Sequence, residues 1–201
     1  MKPLSSIQIL SACFLTMATA ATLSCNTNKT TTDKTMTDST MNSSMDNMPM
    51  QNHAEAVLSG TYADTTVSGT VKFDSAADGK VKMTLDIMVP AKANQSVAVH
   101  IHENGDCGDT AMMAHGHWNP TNAQHGQWGS GSFHVGDIGN VTLDAQGNGH
   151  MEMETDLWAI GGSNANKNIL NKSIIVHGGV DDYTSQPSGN AGTRIGCGVI
   201  K

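Results

Sequence analysis

Val97-Ala98-Val99-His100-Ile101-His102 is the stretch that decides the fold. Val97, Val99 and Ile101 alternate with Ala98, His100 and His102, the period of a β-strand and not of a helix. The aliphatic side chains take the face toward a core. The two imidazoles share the other face, pointing out beneath the loops that follow. The same alternation recurs upstream. Val67, Gly69, Val71 and Phe73 alternate with Ser68, Thr70 and Lys72, and Val81, Met83, Leu85, Ile87 and Val89 with Lys82, Thr84, Asp86 and Met88. Further strand-like runs cover 141–145, 151–155, 173–177 and 196–200, separated by turns such as Gln146-Gly147-Asn148-Gly149. Seven or eight such strands predict an all-β domain, an antiparallel sandwich or barrel. Residues 104–136 and 178–193 are Gly-rich and break the pattern, and loops that long in a compact domain usually carry function.

Composition narrows the reading. The chain has 201 residues, enough for one domain and an extension. Its 21 glycines and 14% charged residues argue against a helical bundle. A net charge of −7 argues against a nucleic-acid partner. Eight of the 9 histidines fall between His100 and His177, a concentration that needs a cause.

The front end reads as an address and a tether. Met1-Lys2 supplies one positive charge, and the apolar run centred on residues 7–15 is too short to span a bilayer. Residues 1–24 are therefore read as a signal peptide. Leu23-Ser24-Cys25 resembles the bacterial lipoprotein cleavage box, in which the Cys is lipidated. Leu10-Ser11-Ala12-Cys13 matches that box more closely, but cleavage there leaves a signal of only 12 residues, so Cys25 is preferred. A plain secretory signal is the alternative. Each version places the protein outside the cytoplasm, in the periplasm or cell envelope, where disulfides persist. Residues 25–53 form a Thr/Asn/Met-rich linker expected to be disordered, and 54–201 the folded domain. Met36, Met41, Met45, Met48 and Met50, ending in His53, are either a spacer or a collector of Cu(I), which thioethers bind.

His100 and His102 on one strand face are followed by His115, His117 and His125, then His134 and Asp137, and later His177. Neutral imidazoles with one carboxylate suit copper or zinc, not calcium or magnesium. The spacing also resembles a known pattern. His100-Ile101-His102-Glu103-Asn104-Gly105-Asp106-Cys107, His117-Trp118-Asn119-Pro120, His125-Gly126 and His134-Val135-Gly136-Asp137-Ile138-Gly139-Asn140 come first. Val176-His177-Gly178-Gly179-Val180-Asp181-Asp182 and Gly189-Asn190-Ala191-Gly192-Thr193-Arg194-Ile195-Gly196-Cys197-Gly198-Val199-Ile200 follow. In this order they resemble copper/zinc superoxide dismutases, over about residues 56–200, and the lipoprotein-type leader points to a bacterial exported member.

The resemblance implies an eight-stranded antiparallel Greek-key barrel or sandwich, immunoglobulin-like, with two long functional loops. It implies an oxidoreductase that dismutes superoxide to O2 and H2O2 and protects the cell envelope, with copper as redox centre and zinc as a structural neighbour. Carried over by position, His100, His102, His117 and His177 are copper ligands, and His117, His125, His134 and Asp137 zinc ligands. His117, not His115, is the shared residue, because it precedes an aromatic, Asn and Pro and stands eight residues before His125. His117 also supplies a proton, and Arg194 positions the anion. Asp181 would orient His100 and His125, and Cys107 would pair with Cys197. The partners implied are superoxide and, through the N-terminal lipid alone, a membrane. The alternative is a non-catalytic copper/zinc-binding envelope lipoprotein. No copper donor is identifiable, and a homodimer stays open because dimer contacts differ among members.

The chain departs from common patterns of the family in three places. Cys107 lies only five residues after His102. The segment from His177 to Arg194 is short and keeps only Asp181 and Asp182 as charges, so long-range steering by that loop is not expected. Ala98-Val99 stands where many members have Gly and an aromatic, which implies a local packing change.

Overall fold

The computed structural model describes residues 49–201. The signal peptide, Cys13, the lipidation site Cys25, and Met36, Met41, Met45 and Met48 of the linker lie outside the described residues. The described chain forms strands β1 (His53–Gly60), β2 (Ser68–Ser75), β3 (Val81–Met88) and β4 (Ser96–His102). After a long loop come β5 (Gly139–Thr142), β6 (Asn148–Thr155), β7 (Ser173–His177) and β8 (Arg194–Val199). All pairings are antiparallel, in the order β5-β4-β7-β8-β1-β2-β3-β6. The end strands β5 and β6 meet through the bridge Leu143–Gly149 and the hydrogen bond from Asp144 N–H to Asn148 O. That contact nearly closes the sheet into a barrel. The β3–β4 and β6–β7 connections each pass over two strands, which is the Greek-key connectivity expected.

Alternation sets the core. Val81, Met83, Leu85 and Ile87 of β3 are buried, while Asp86 and Met88 are exposed. Phe73 meets Trp158 edge to face at 5.8 Å between centroids, and Ile101 and Ile174 fill the other side. Gly149 faces inward where a Cβ would press on Leu143, Val141 and Ile87, so the closing hairpin needs a residue without a side chain there.

The first strand was not among the alternating runs. Its inward residues are Ala54, Ala56 and Leu58, so two of three carry little hydrophobic signal. The residues just before it pack on the domain as well: Gln51 N–H donates to Ile160 O, and Ser75 N–H to Asn52 O. The two pattern-breaking segments are the loops between β4 and β5 and between β7 and β8. Both lie over the outer face of β4, where Asp181 reaches His100 and the His115 carbonyl reaches His102.

Candidate metal centre

β4 presents His100 and His102, both fully buried under the loops. His117 returns to the same spot by bridging to His102, with Trp118 N–H donating to Ile101 O at 2.8 Å. His177 ends β7 at a bulge that pairs it directly with Arg194 of β8. In the first loop, His134 and Asp137 sit on one turn, closed by Asp137 N–H to His134 O. The two fours that result, His100/His102/His117/His177 and His117/His125/His134/Asp137, each bring one ligand atom per residue within 4.8 Å of the others. His117 is common to both.

The ring nitrogens divide by what holds them. His102 Nδ1 donates to His115 O at 2.8 Å, and His177 Nδ1 to Gly192 O at 3.3 Å. Asp181 accepts from His100 Nε2 at 2.9 Å and from His125 Nε2 at 2.8 Å. These partners fix the tautomers, because carbonyls and carboxylates only accept. The opposite nitrogens His100 Nδ1, His102 Nε2 and His177 Nε2 are buried without a hydrogen-bond partner, as is His117 Nε2, while His125 Nδ1 and His134 Nδ1 face only the Asp137 carboxylate, at 3.0 and 3.2 Å. Four unpaired ring nitrogens, with two more crowded on one carboxylate, would be costly in a finished interior, so they fit metal ions. Copper and zinc both match this nitrogen-rich donor set with one carboxylate.

Protonation favours ligation. Burial pushes His117 down to about 4 and His177 to about 3, and neighbouring imidazoles add to both. Burial also lowers His102 well below the ordinary value, helped by His117 and His177. The rings are therefore neutral at pH 7. Burial opposes charge on Asp137, but hydrogen bonds from His117 and His134 outweigh it and hold the carboxyl well below the carboxylate range. Asp181 follows the same pattern: burial opposes its charge, and bonds from His100, Tyr183 N–H and His125 prevail.

Arg194 donates from Nη1 to Ala111 O and from Nη2 to His115 O, both at 2.6 Å. It lines an open cavity of about 600 Å³ with His102, His117 and His177. Among the described residues it is the only Lys or Arg on that lining, which includes no Asp or Glu. The disulfide Cys107–Cys197 ties the carbonyl-bearing loop to β8. Cys107 and Cys197 pack with Ala111, Ala114 and Ile175.

Every residue assigned to the site from sequence thus lies in one of the two clusters, beside them or in the disulfide. His53 and His150, left without a metal role, pair at the surface with Asp74 and Asp86 at 2.7 Å. His115 contributes its carbonyl, not its exposed ring. Several supports were not legible. Asn140 holds Asp181 through its side-chain amide at both backbone groups, at 2.8 and 2.9 Å. Gln186 grips His125 N–H and O at 2.9 and 3.0 Å. Single amides and backbone carbonyls leave no spacing pattern to find.

A family model for copper/zinc superoxide dismutase matches residues 67–200. The chain is similar to the copper/zinc superoxide dismutase of Schizosaccharomyces pombe, 37% identical over 153 residues, covering 73% of this chain and 96% of the relative. That of Yarrowia lipolytica is also 37% identical, over 154 residues, with the same coverage of both chains. The solved structure of the clock protein EA4 superimposes with a TM-score of 0.67 at 30% identity, covering 76% of this chain and 96% of that one. With the family model spanning strands β2 to β8 and both loops, and relatives matched along nearly their whole length, this chain belongs to the copper/zinc superoxide dismutase family.

Proposed function

We propose that this chain is an exported superoxide dismutase, an oxidoreductase that converts superoxide to O2 and H2O2 with copper and zinc. The observation that carries the reading is six buried ring nitrogens, four of them unpartnered, converging on two centres that share His117. His100 Nδ1, His102 Nε2, His117 Nε2 and His177 Nε2 are the copper ligands. His117 Nδ1, His125 Nδ1, His134 Nδ1 and Asp137 are the zinc ligands. Copper, when bound, supplies the one-electron exchange that Zn²⁺ cannot.

The chain's own groups do the rest. Arg194 holds the anionic substrate with a guanidinium already pinned by two carbonyls. In a chain of net charge −7, this local cation decides where an anion arrives. His117 Nε2 would carry a proton for the peroxide product only when released from copper, while Nδ1 keeps the ring on the Asp137 side. Asp181 keeps His100 and His125 aimed at their separate centres. Metal analysis of variants tests the assignment. His177→Ala should lose copper and keep zinc, and His134→Ala the reverse; loss of both from each variant would contradict two separable sites.

Export with lipid attachment at Cys25 belongs to the same reading, with residues 1–24 as the leader and the cell envelope as the compartment protected. The apolar run before Leu23-Ser24-Cys25 supports it, as does a disulfide suited to an oxidising compartment. Cys25→Ser should move the protein from the membrane fraction to the soluble one; unchanged membrane association would remove the anchor.

A further inference from the structure

Lys172 is one residue before β7 and only 9% exposed, and neither metal cluster nor the cavity at Arg194 includes it. A lysine is seldom buried without partners that offset its desolvation. Its partners are informative. The ammonium sits 4.7 Å from the centroid of the Trp118 ring, within cation–π range. It also lies 3.4 Å from both Glu103 Oε1 and the Glu103 carbonyl oxygen. Glu103 directly follows His102, and Trp118 directly follows His117. Ser173, next to Lys172, stands opposite His102 in the β4–β7 register, and β7 ends at His177.

One side chain therefore touches the neighbours of two ligands and directly precedes the strand that carries a third. The two segments it spans are already joined, by Glu103 N–H to Gly116 O at 3.0 Å and by the His102–His117 bridge. Lys172 closes that junction from the β7 side. An apolar residue of similar length would fill the space. It could not attract both an aromatic face and a carboxylate.

We propose that Lys172 is a positioning residue for the copper centre, fixing His102 and His117 relative to each other through Glu103 and Trp118. The proposal rests on the ligand assignment above and goes beyond it. Its test is the copper spectrum and copper affinity of the full-length protein. Lys172→Met keeps the packing and removes the charge. It should alter the copper electron paramagnetic resonance parameters and weaken copper binding roughly tenfold, the usual size for a group behind a metal ligand. Lys172→Arg, which keeps the charge and the stacking, should restore both. A folded Lys172→Met protein with wild-type spectrum and affinity overturns the proposal, even if its melting temperature falls. Should Lys172→Met not fold, Glu103→Gln carries the test from an exposed side chain: a smaller spectral shift supports the clamp, and an unchanged spectrum overturns it. A wild-type protein that takes no copper defeats the ligand assignment itself, which distinguishes the two failures.

Discussion

Arg194 shows how much of the site depends on single residues. Its two carbonyl partners leave the guanidinium with no freedom to turn away from the cavity. Arg194→Glu should lower kcat/KM about a hundredfold, the scale for losing a preorganised charge partner, with copper and zinc content near normal. An unchanged rate would remove its role. Gly189 is a second dependence. It has φ +64°, and a Cβ there would press on Asp181 Oδ1 and His125 Nε2, the two atoms of one hydrogen bond. Gly189→Ala should weaken zinc binding roughly ten- to a hundredfold, measured by chelator competition; wild-type affinity would show that the bond tolerates the wedge. At this scale the sequence reveals side-chain ligands, because they repeat at spacings that metal chemistry requires. It does not reveal the carbonyls of His115 and Gly192, whose use depends on how the loops turn. His115 itself has φ +63°.

Among the elements, strands with large inward residues were legible and β1 was not. The alternation of β3 rests on Val81, Met83, Leu85 and Ile87, whereas β1 shows mainly Ala54 and Ala56 to the core. The long loops were legible by their glycines and by the failure of alternation, although what they hold is set by contacts distant in sequence. The loop after β4 depends on the Cys107–Cys197 bridge, which closes 90 residues of separation. Removing it should cost about 4–5 kcal/mol by the chain-entropy model. The same bridge steadies Ala111 and His115, the carbonyls that hold Arg194. Cys107→Ser should thus lower both the urea midpoint and kcat/KM with metal retained. A loss of stability alone would separate the loop from the arginine.

For the whole molecule, a nearly closed barrel of eight strands supports a centre in which burial keeps the His102, His117 and His177 rings neutral. This has a consequence for the metal-free protein. Burial holds His117 at about 4 and His177 at about 3, against 6.5 for an ordinary histidine. Between pH 6.5 and 4 the unfolded chain therefore binds more protons than the folded one. Stability is full above pH 6.5 and falls toward pH 4, by about 1.4 kcal/mol per unit for each ring. The urea midpoint of the metal-free protein should drop steadily across that range, and a flat midpoint would contradict buried neutral imidazoles. Whether the two clusters form a working dismutase is read from the superoxide dismutation rate of full-length protein carrying both metals. With copper and zinc bound, kcat/KM should approach about 10⁸–10⁹ M⁻¹s⁻¹, the diffusional range. Full occupancy of both clusters with no dismutation above that of the metal-free chain would contradict this reading and leave a protein that only binds metal.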